Sequence, residues 1–240
     1  KNKLVRDMKV DVTVGRPRVS YRETILGTAA DVRGLFKKQT GGRGQFGDAV
    51  ITVSPVTEAE AEEQELKMKN GVAFVDKIAG GVIPREYISS VETGVRAAAA
   101  SGVIGGYPLI NVKVELVYGS YHDVDSSQVA FEQAGALAFR QAITKAGPAL
   151  LEPIMKLSVV TPDEYFGTVS GDIASRRGHI VDSELRGIVR VITAEVPLSE
   201  MFGYTTVLRS MTAGRATSSM EPAEYRVMPD SLKDVVLAEA

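Results

Sequence analysis

The spacing of hydrophobic positions changes several times along the chain, and each change predicts an element. Val10, Val12 and Val14 alternate with polar residues as a half-buried strand, which Gly15-Arg16-Pro17 interrupts. Val19 to Val53 reads as extended segments, two of which flank Thr40-Gly41-Gly42-Arg43-Gly44-Gln45, a composition that predicts the tip of a long hairpin. A run of Glu58, Glu60, Glu62, Glu63 and Glu65, closed by Lys67, Lys69, Asn70 and Gly71, reads as an exposed, mobile or weakly helical insertion. Its removal is expected to leave the fold intact. Ile88, Val91, Val95 and Ala99 then recur at helical spacing, after Pro84 in the first turn and before Ser101-Gly102 at the end.

Clean alternation returns from Leu109 to Tyr118, where Ile110, Val112, Val114 and Leu116 share one face of a strand. After Gly119-Ser120-Tyr121-His122-Asp123-Val124, a helix is expected to start near Asp125, with Asp125 as cap and Gln128 reaching back. Phe131, Ala134, Ala138 and Ala142 form its buried stripe, and Gly147-Pro148 stops it. Beyond Glu152-Pro153 a smaller plan appears twice. Strand Ile154–Val160, helix Pro162–Arg177 and a strand from Ile180 are followed by strand Arg190–Val196, helix Glu200–Met211 and a strand near Arg215–Met220. Thr161 is expected to cap the first of these helices. The βαββαβ order predicts a ferredoxin-like sandwich and a domain boundary near Leu151, so the fold class is α+β.

Composition narrows the chemistry. With 240 residues, 44% of them hydrophobic, the chain can fill two cores. It has no cysteine, which excludes disulfides, thiolate metal sites and a cysteine nucleophile; only His122 and His179 offer imidazole, and no metal site is expected. The net charge of -2 argues against a generic nucleic-acid binder, so any RNA contact must be local. No run is long and apolar enough for a membrane span, and the reading is a soluble, cytoplasmic protein without membrane contact.

Gly42-Arg43-Gly44-Gln45-Phe46-Gly47 matches a dinucleotide-binding fingerprint formally, but Ala49-Val50-Ile51-Thr52-Val53 after it is strand-like where that fold requires a helix. Glycine there serves instead as a flexible turn, or lets backbone approach a polyanion beside Lys37, Lys38 and Arg43. No P-loop motif occurs, and no catalytic residue is expected. Around His122, Asp123 and Asp125 match no known ligand spacing; Ser120, Tyr121 and His122 offer neutral hydrogen-bonding groups and a stacking face suited to RNA. Arg176 and Arg177 close a helix, where they complement its dipole or bind phosphate. The glycine and aromatic pattern with which other ferredoxin-like sheets stack bases is missing.

Several stretches resemble the C-terminal part of the bacterial elongation factor G family. They are Val14-Gly15-Arg16-Pro17 through Tyr21-Arg22-Glu23-Thr24-Ile25, Gln39 to Gly47, Gly80-Gly81-Val82-Ile83-Pro84, Gly119 to Ser127, Leu151-Glu152-Pro153-Ile154-Met155, and Pro197-Leu198-Ser199-Glu200-Met201-Phe202-Gly203-Tyr204. The resemblance implies that residues 1–16 end domain III, that 17–151 form domain IV with a ribosomal protein S5 domain 2-like fold, and that 152–240 form a ferredoxin-like domain V. It further implies that the tip of domain IV enters the decoding (A) site of the small ribosomal subunit, promoting translocation of the tRNA-mRNA unit. The implied RNA-binding residues are Gly41, Gly42, Arg43, Gly44 and Gln45 in one loop, and Ser120, Tyr121, His122, Asp125 and Ser126 in the other, with Asp125 holding the histidine loop on its helix. Arg176 and Arg177 become candidate rRNA contacts. The implied partners are the ribosome, through 16S and 23S rRNA and the tRNA-mRNA duplex, and, for a paralogue specialised in recycling, the ribosome recycling factor; the factor is expected to be a monomer. GTP and Mg2+ would belong to a GTPase domain outside this chain, which is expected to hold no cofactor. Phe46 stands where many relatives have tyrosine, and the acidic segment 57–70 is longer than the family leads one to expect.

Overall fold

The computed structural model describes residues 18–39 and 41–239; the strand expected at Val10–Val14, the break at Gly15-Arg16-Pro17, the segment assigned to domain III, and Thr40 lie outside them. The chain divides into two compact units, one formed by Tyr21–Leu151 with Arg226–Ala240, the other by Glu152–Tyr225 with residues 18–20.

The larger unit is built on the expected hairpin. Strands β1 (Arg22–Ile25), β2 (Ala29–Lys38) and β3 (Gln45–Pro55) are followed by helix α1 (Glu58–Glu63) and strands β4 (Met68–Lys69) and β5 (Val72–Asp76). Helix α2 (Arg85–Ser101), strand β6 (Val112–Ser120) and helix α3 (Gln128–Lys145) complete the layer, and β7 (Pro148–Pro162) leads out of it. The sheet order is β2-β3-β6-β5-β4, antiparallel except for the parallel pair β5 and β6 that α2 connects. Val32, Ala49, Ile51, Val53, Val112, Val114 and Leu116 are buried with Val91, Val95 and Ala99 of α2 and with Phe131, Ala134, Phe139 and Ala142 of α3.

These layers approach unusually closely because side chains are missing or small where they meet. A Cβ on Gly34 would overlap the Ala134 carbonyl, one on Gly47 the Ala130 carbonyl, and one on Gly94 the Glu132 carbonyl. The partners are backbone atoms, which cannot swing aside as a side chain can. The sheet also contains one irregularity of consequence. Val50 pairs with Tyr118, but Ile51 pairs with Leu116, so Val117 is an extra residue in β6. This bulge breaks the expected alternation, turns Gly119 inward against Ile83, and brings Ser120 to the outer face.

The acidic insertion forms a short helix with exposed glutamates, one of the forms the sequence allowed, but it is also anchored to the unit. Thr57 and Glu60 form a reciprocal capping box, Ala61 is fully buried, and the chain returns through an Asn70-Gly71 turn whose positive φ angles of 52° and 77° join β4 to β5. Both central residues in the left-handed region define a type I′ hairpin, for which Asn-Gly is a preferred pair. Deleting Glu58–Lys69 would therefore remove an edge strand and a buried contact as well as a charged surface. The start of α3 differs too: Ser127, not Asp125, is the cap, its hydroxyl accepting the Ala130 N–H at 3.2 Å. Ser127 is extended and sits three residues before an otherwise orphaned donor, whereas Asp125 lies two residues too early.

Glu23 anchors this unit from within. Its carboxylate is fully buried and accepts four backbone N–H groups, from Val103 and Ile104 at 2.7 and 3.1 Å and from Gly105 and Tyr107 at 2.8 and 3.2 Å. The loop after α2 thus wraps an internal anion that satisfies donors which would otherwise be buried without partners. The C-terminal helix α6 (Asp230–Ala238), for which the sequence pattern had no prediction, belongs to the same unit rather than to 152–225: Met228 N–H donates to the Leu150 carbonyl, and Leu237 lies against Gly105.

In the smaller unit, the Ile154–Pro162 part of β7 pairs with β9 (Val189–Pro197), which pairs with β8 (His179–Arg186), while β10 (Thr217–Val227) lies on the other side of β7. Helices α4 (Phe166–Ser175) and α5 (Tyr204–Met211) bury Val169, Ile173, Tyr204 and Leu208 against Leu157, Val159, Ile192, Ala194 and Val196. The order β10-β7-β9-β8 is that of the expected ferredoxin-like plan. Thr161 is not a cap; it is buried in β7, and a single 3-10 turn, Asp163–Tyr165, leads into α4.

Glu23→Gln should lower the stability of the larger unit by about 2–4 kcal/mol in urea unfolding, because an amide leaves two of the four N–H groups facing another donor. The Glu60 carboxyl is held below its usual range by the Thr57 N–H and hydroxyl. Its capping contribution is therefore present above the ordinary carboxylate pKa and is lost as pH falls through the lower folded value; amide exchange across α1 should quicken there.

Candidate nucleic-acid interface

The two loops singled out in the sequence meet at one end of the larger unit. Gln45 opens β3 opposite Lys38, and the next residue, Phe46, donates its N–H to the Asp125 carbonyl at 2.8 Å and bridges to Ser126. Arg43 Nε donates to the Val124 carbonyl at 3.0 Å. Hairpin tip and histidine loop are thus joined by a backbone bond from Phe46, whose position does not depend on a side-chain rotamer, and by the Arg43 side chain. The Asp125 carboxylate sits against Gly44, where an added Cβ would come within about 3.0 Å of it, so a larger residue there would have to displace that side chain.

Within the second loop, His122 N–H donates to the Ser126 hydroxyl at 2.8 Å and the Ser126 N–H returns to the His122 carbonyl at 3.0 Å. Ser126 is buried, and its own carbonyl accepts the Tyr87 hydroxyl at 3.3 Å. The His122 ring is exposed and packs edge-to-face on Phe46, with centroids 4.3 Å apart. Beneath lies a group that no sequence pattern signalled: Asp48, buried, accepts Arg33 through two bonds of 2.7 and 2.9 Å and the Ser120 hydroxyl at 2.6 Å. These bonds and the carboxylate's charge hold the Arg33 guanidinium above its ordinary pKa. Ser120 is therefore a support of the loop rather than an outward-facing donor, while Tyr121 and His122 remain exposed.

The cleft at the tip, lined among others by Lys37, Lys38, Gln39, Gln45, Phe46 and His122, measures about 110 Å³. That is well below the roughly 300–1,000 Å³ of small-molecule pockets, and it suits a surface that lies against a ligand instead of enclosing one. Among the described residues, no group of three or more His, Asp or Glu side chains could hold a metal ion. A larger cavity of about 360 Å³, bordered by Arg22, Lys69, Arg96, Val72 and Leu109, contains none of the residues singled out as candidate contacts in the sequence.

Arg176 and Arg177 are engaged inside the smaller unit. Arg176 bonds Asp172 and the Glu200 carbonyl and lies over the Tyr204 ring, whose phenol burial pushes up to about 12. Arg177 takes the left-handed position after α4 (φ 58°), where glycine is usual, and forms a bidentate pair with buried Glu152 at 2.8 and 2.9 Å as well as a bond to Glu200. Holding a non-glycine residue there costs about 1–2 kcal/mol, and the bidentate pair fixes the Arg177 side chain in that position. Both arginines thus have a structural task, and the expectation that they contact rRNA draws no support from this geometry.

The family described as elongation factor G, domain IV, matches residues 17–147, and that described as elongation factor G C-terminus matches residues 149–236. A crystal structure of a protein from Thermus thermophilus is similar at 38% identity and a TM-score of 0.83, over 98% of this chain and 34% of that one. The chain spans about a third of that protein's length. The S5 domain 2-like and ferredoxin-like folds are those of the two matching families.

Gly47→Ala should cost about 1–3 kcal/mol in urea unfolding, since its methyl group would displace the first turn of α3. The same displacement should accelerate exchange of the His122 amide, which a purely local defect in β3 would leave unchanged.

Proposed function

Because the chain belongs to the elongation factor G family, we propose that its larger unit carries the tip that enters the decoding (A) site of the small ribosomal subunit during translocation, where it braces the codon-anticodon duplex. The observation that carries this reading is the backbone lock between Phe46 and Asp125, which makes a single rigid extremity of two loops far apart in sequence. A duplex of varying sequence must be recognised through its shape, its sugar hydroxyls and its phosphates. The tip offers what that task needs. Gly41 and Gly42 allow backbone approach, Arg43 adds local positive charge, and Gln45, Tyr121 and His122 present exposed polar or stacking groups.

On this reading the chain contributes no catalytic residue, and GTP with Mg2+ acts in another part of the factor. Its partners are the small-subunit rRNA and the tRNA-mRNA duplex at the tip, with the smaller unit facing the large subunit. Net charge is no obstacle, because the rest of the factor supplies affinity and raises the effective concentration of the tip at its target. The recycling alternative, in which a paralogue works with the ribosome recycling factor, would use the same domains.

In the full-length factor, His122→Ala, or deletion of Gly42-Arg43, should slow translocation by about 10- to 100-fold, the equivalent of one hydrogen bond to a charged group. GTP hydrolysis and thermal unfolding should stay near the parent values. Equal loss of translocation and hydrolysis would reject the proposal.

A further inference from the structure

The face of the larger unit's sheet opposite its helices carries an ordered set of side chains that begins at the tip and continues beyond it. Cross-strand pairing aligns Arg33, Val50 and Tyr118 in one row and Leu35, Asp48 and Ser120 in the next. Lys37 pairs with Phe46 in the row after that, where His122 covers the Phe46 ring. The rows therefore run continuously from the tip to Tyr118, over about 13 Å at the usual strand rise. Tyr118 is 55% exposed and Leu35 41% exposed.

Tyr118 reaches this face only because of the bulge at Val117. In regular alternation it would follow Leu116 into the core. Two cationic side chains lie beside it: Arg33, 57% exposed although its charge is matched by Asp48 buried beneath it, and Lys37, which is exposed. At the far end, a Lys113–Glu115 pair of 3.8 Å and exposed Asp31 bring in acidic groups, so the cationic side chains lie on the tip side of Tyr118.

We propose that this face is a second RNA contact, which takes an unpaired strand continuing from the duplex at the tip, with one base stacked on Tyr118 and the backbone passing Lys37 and Arg33. Exposed aromatics flanked by cations on an open sheet bind single strands in a sequence-tolerant way, since every base has a stacking face. The inference rests on the RNA-facing reading of the tip and extends it along the sheet.

The test uses the 240-residue chain and a short RNA hairpin, either blunt or bearing a short unpaired extension on one strand or the other. The extension should tighten binding about 5- to 150-fold, the range of one stacked base. Tyr118→Ser should abolish that gain without altering affinity for the blunt hairpin, and Tyr118→Phe should keep it. A gain that survives Tyr118→Ser, or blunt binding with no gain from either extension, would overturn this inference alone and leave the face to solvent or a protein partner. Failure of every RNA to bind, the extended hairpins included, would also overturn this inference, whereas the reading of the tip stands or falls with the translocation assay of the full-length factor.

Discussion

The close seating of α3 on the β2–β3 hairpin is the constraint on which the rest of the larger unit depends. Gly34 and Gly47 leave the hairpin without side chains where Ala134 and Ala130 approach, so that helix backbone rests almost directly on strand backbone. The first turn of α3 is thereby held beside the start of β3. His122 to Ser127 precede that turn in the chain, and Gln45 and Phe46 begin that strand. Once the layers touch, the two loops must be neighbours, and the Phe46–Asp125 bond can form. Bulkier residues at the two glycines would separate the layers and the loops together.

A second theme is the use of buried carboxylates as organisers. Glu23 collects four backbone donors from one loop, Asp48 joins Arg33 to Ser120, and Glu152 holds Arg177 in a left-handed conformation. Each anion is compensated by several directed bonds, which is what permits a charge to stay buried. Each also ties together segments distant in sequence. Two stretches on which the family resemblance rests, Leu151 to Met155 and Pro197 to Tyr204, converge on Arg177 through Glu152, Ser199 and Glu200.

The architecture also suits recognition by shape. The tip cleft is too small to enclose a base, its walls mix lysines with Asp125 and apolar ring surface, and its loops are fastened through backbone atoms. A surface of this kind resists deformation more than it gains from any single contact. That is the property a brace against a duplex requires, and it separates mechanical work at the tip from affinity supplied elsewhere in the factor.

Much of the local structure was legible in the sequence because it depends on nearest neighbours. Alternation announced β6, helical spacing announced α2 and α3, and the extended segments on either side of the glycine-rich hairpin tip announced β2 and β3. The Asn70-Gly71 turn carried a readable signal that the surrounding charge obscured. Asp125 looked like a cap because spacing alone cannot tell it from Ser127, and the choice fell to the residue whose backbone was already extended at the first orphaned donor. Tertiary structure alone decided the bulge at Val117, the partners of Glu23, Asp48 and Glu152, and the engagement of Arg176 and Arg177. A strand's register and a buried ion's partner are set by groups tens of residues away, and no local pattern of hydrophobic and polar positions encodes which distant segment will arrive to meet them.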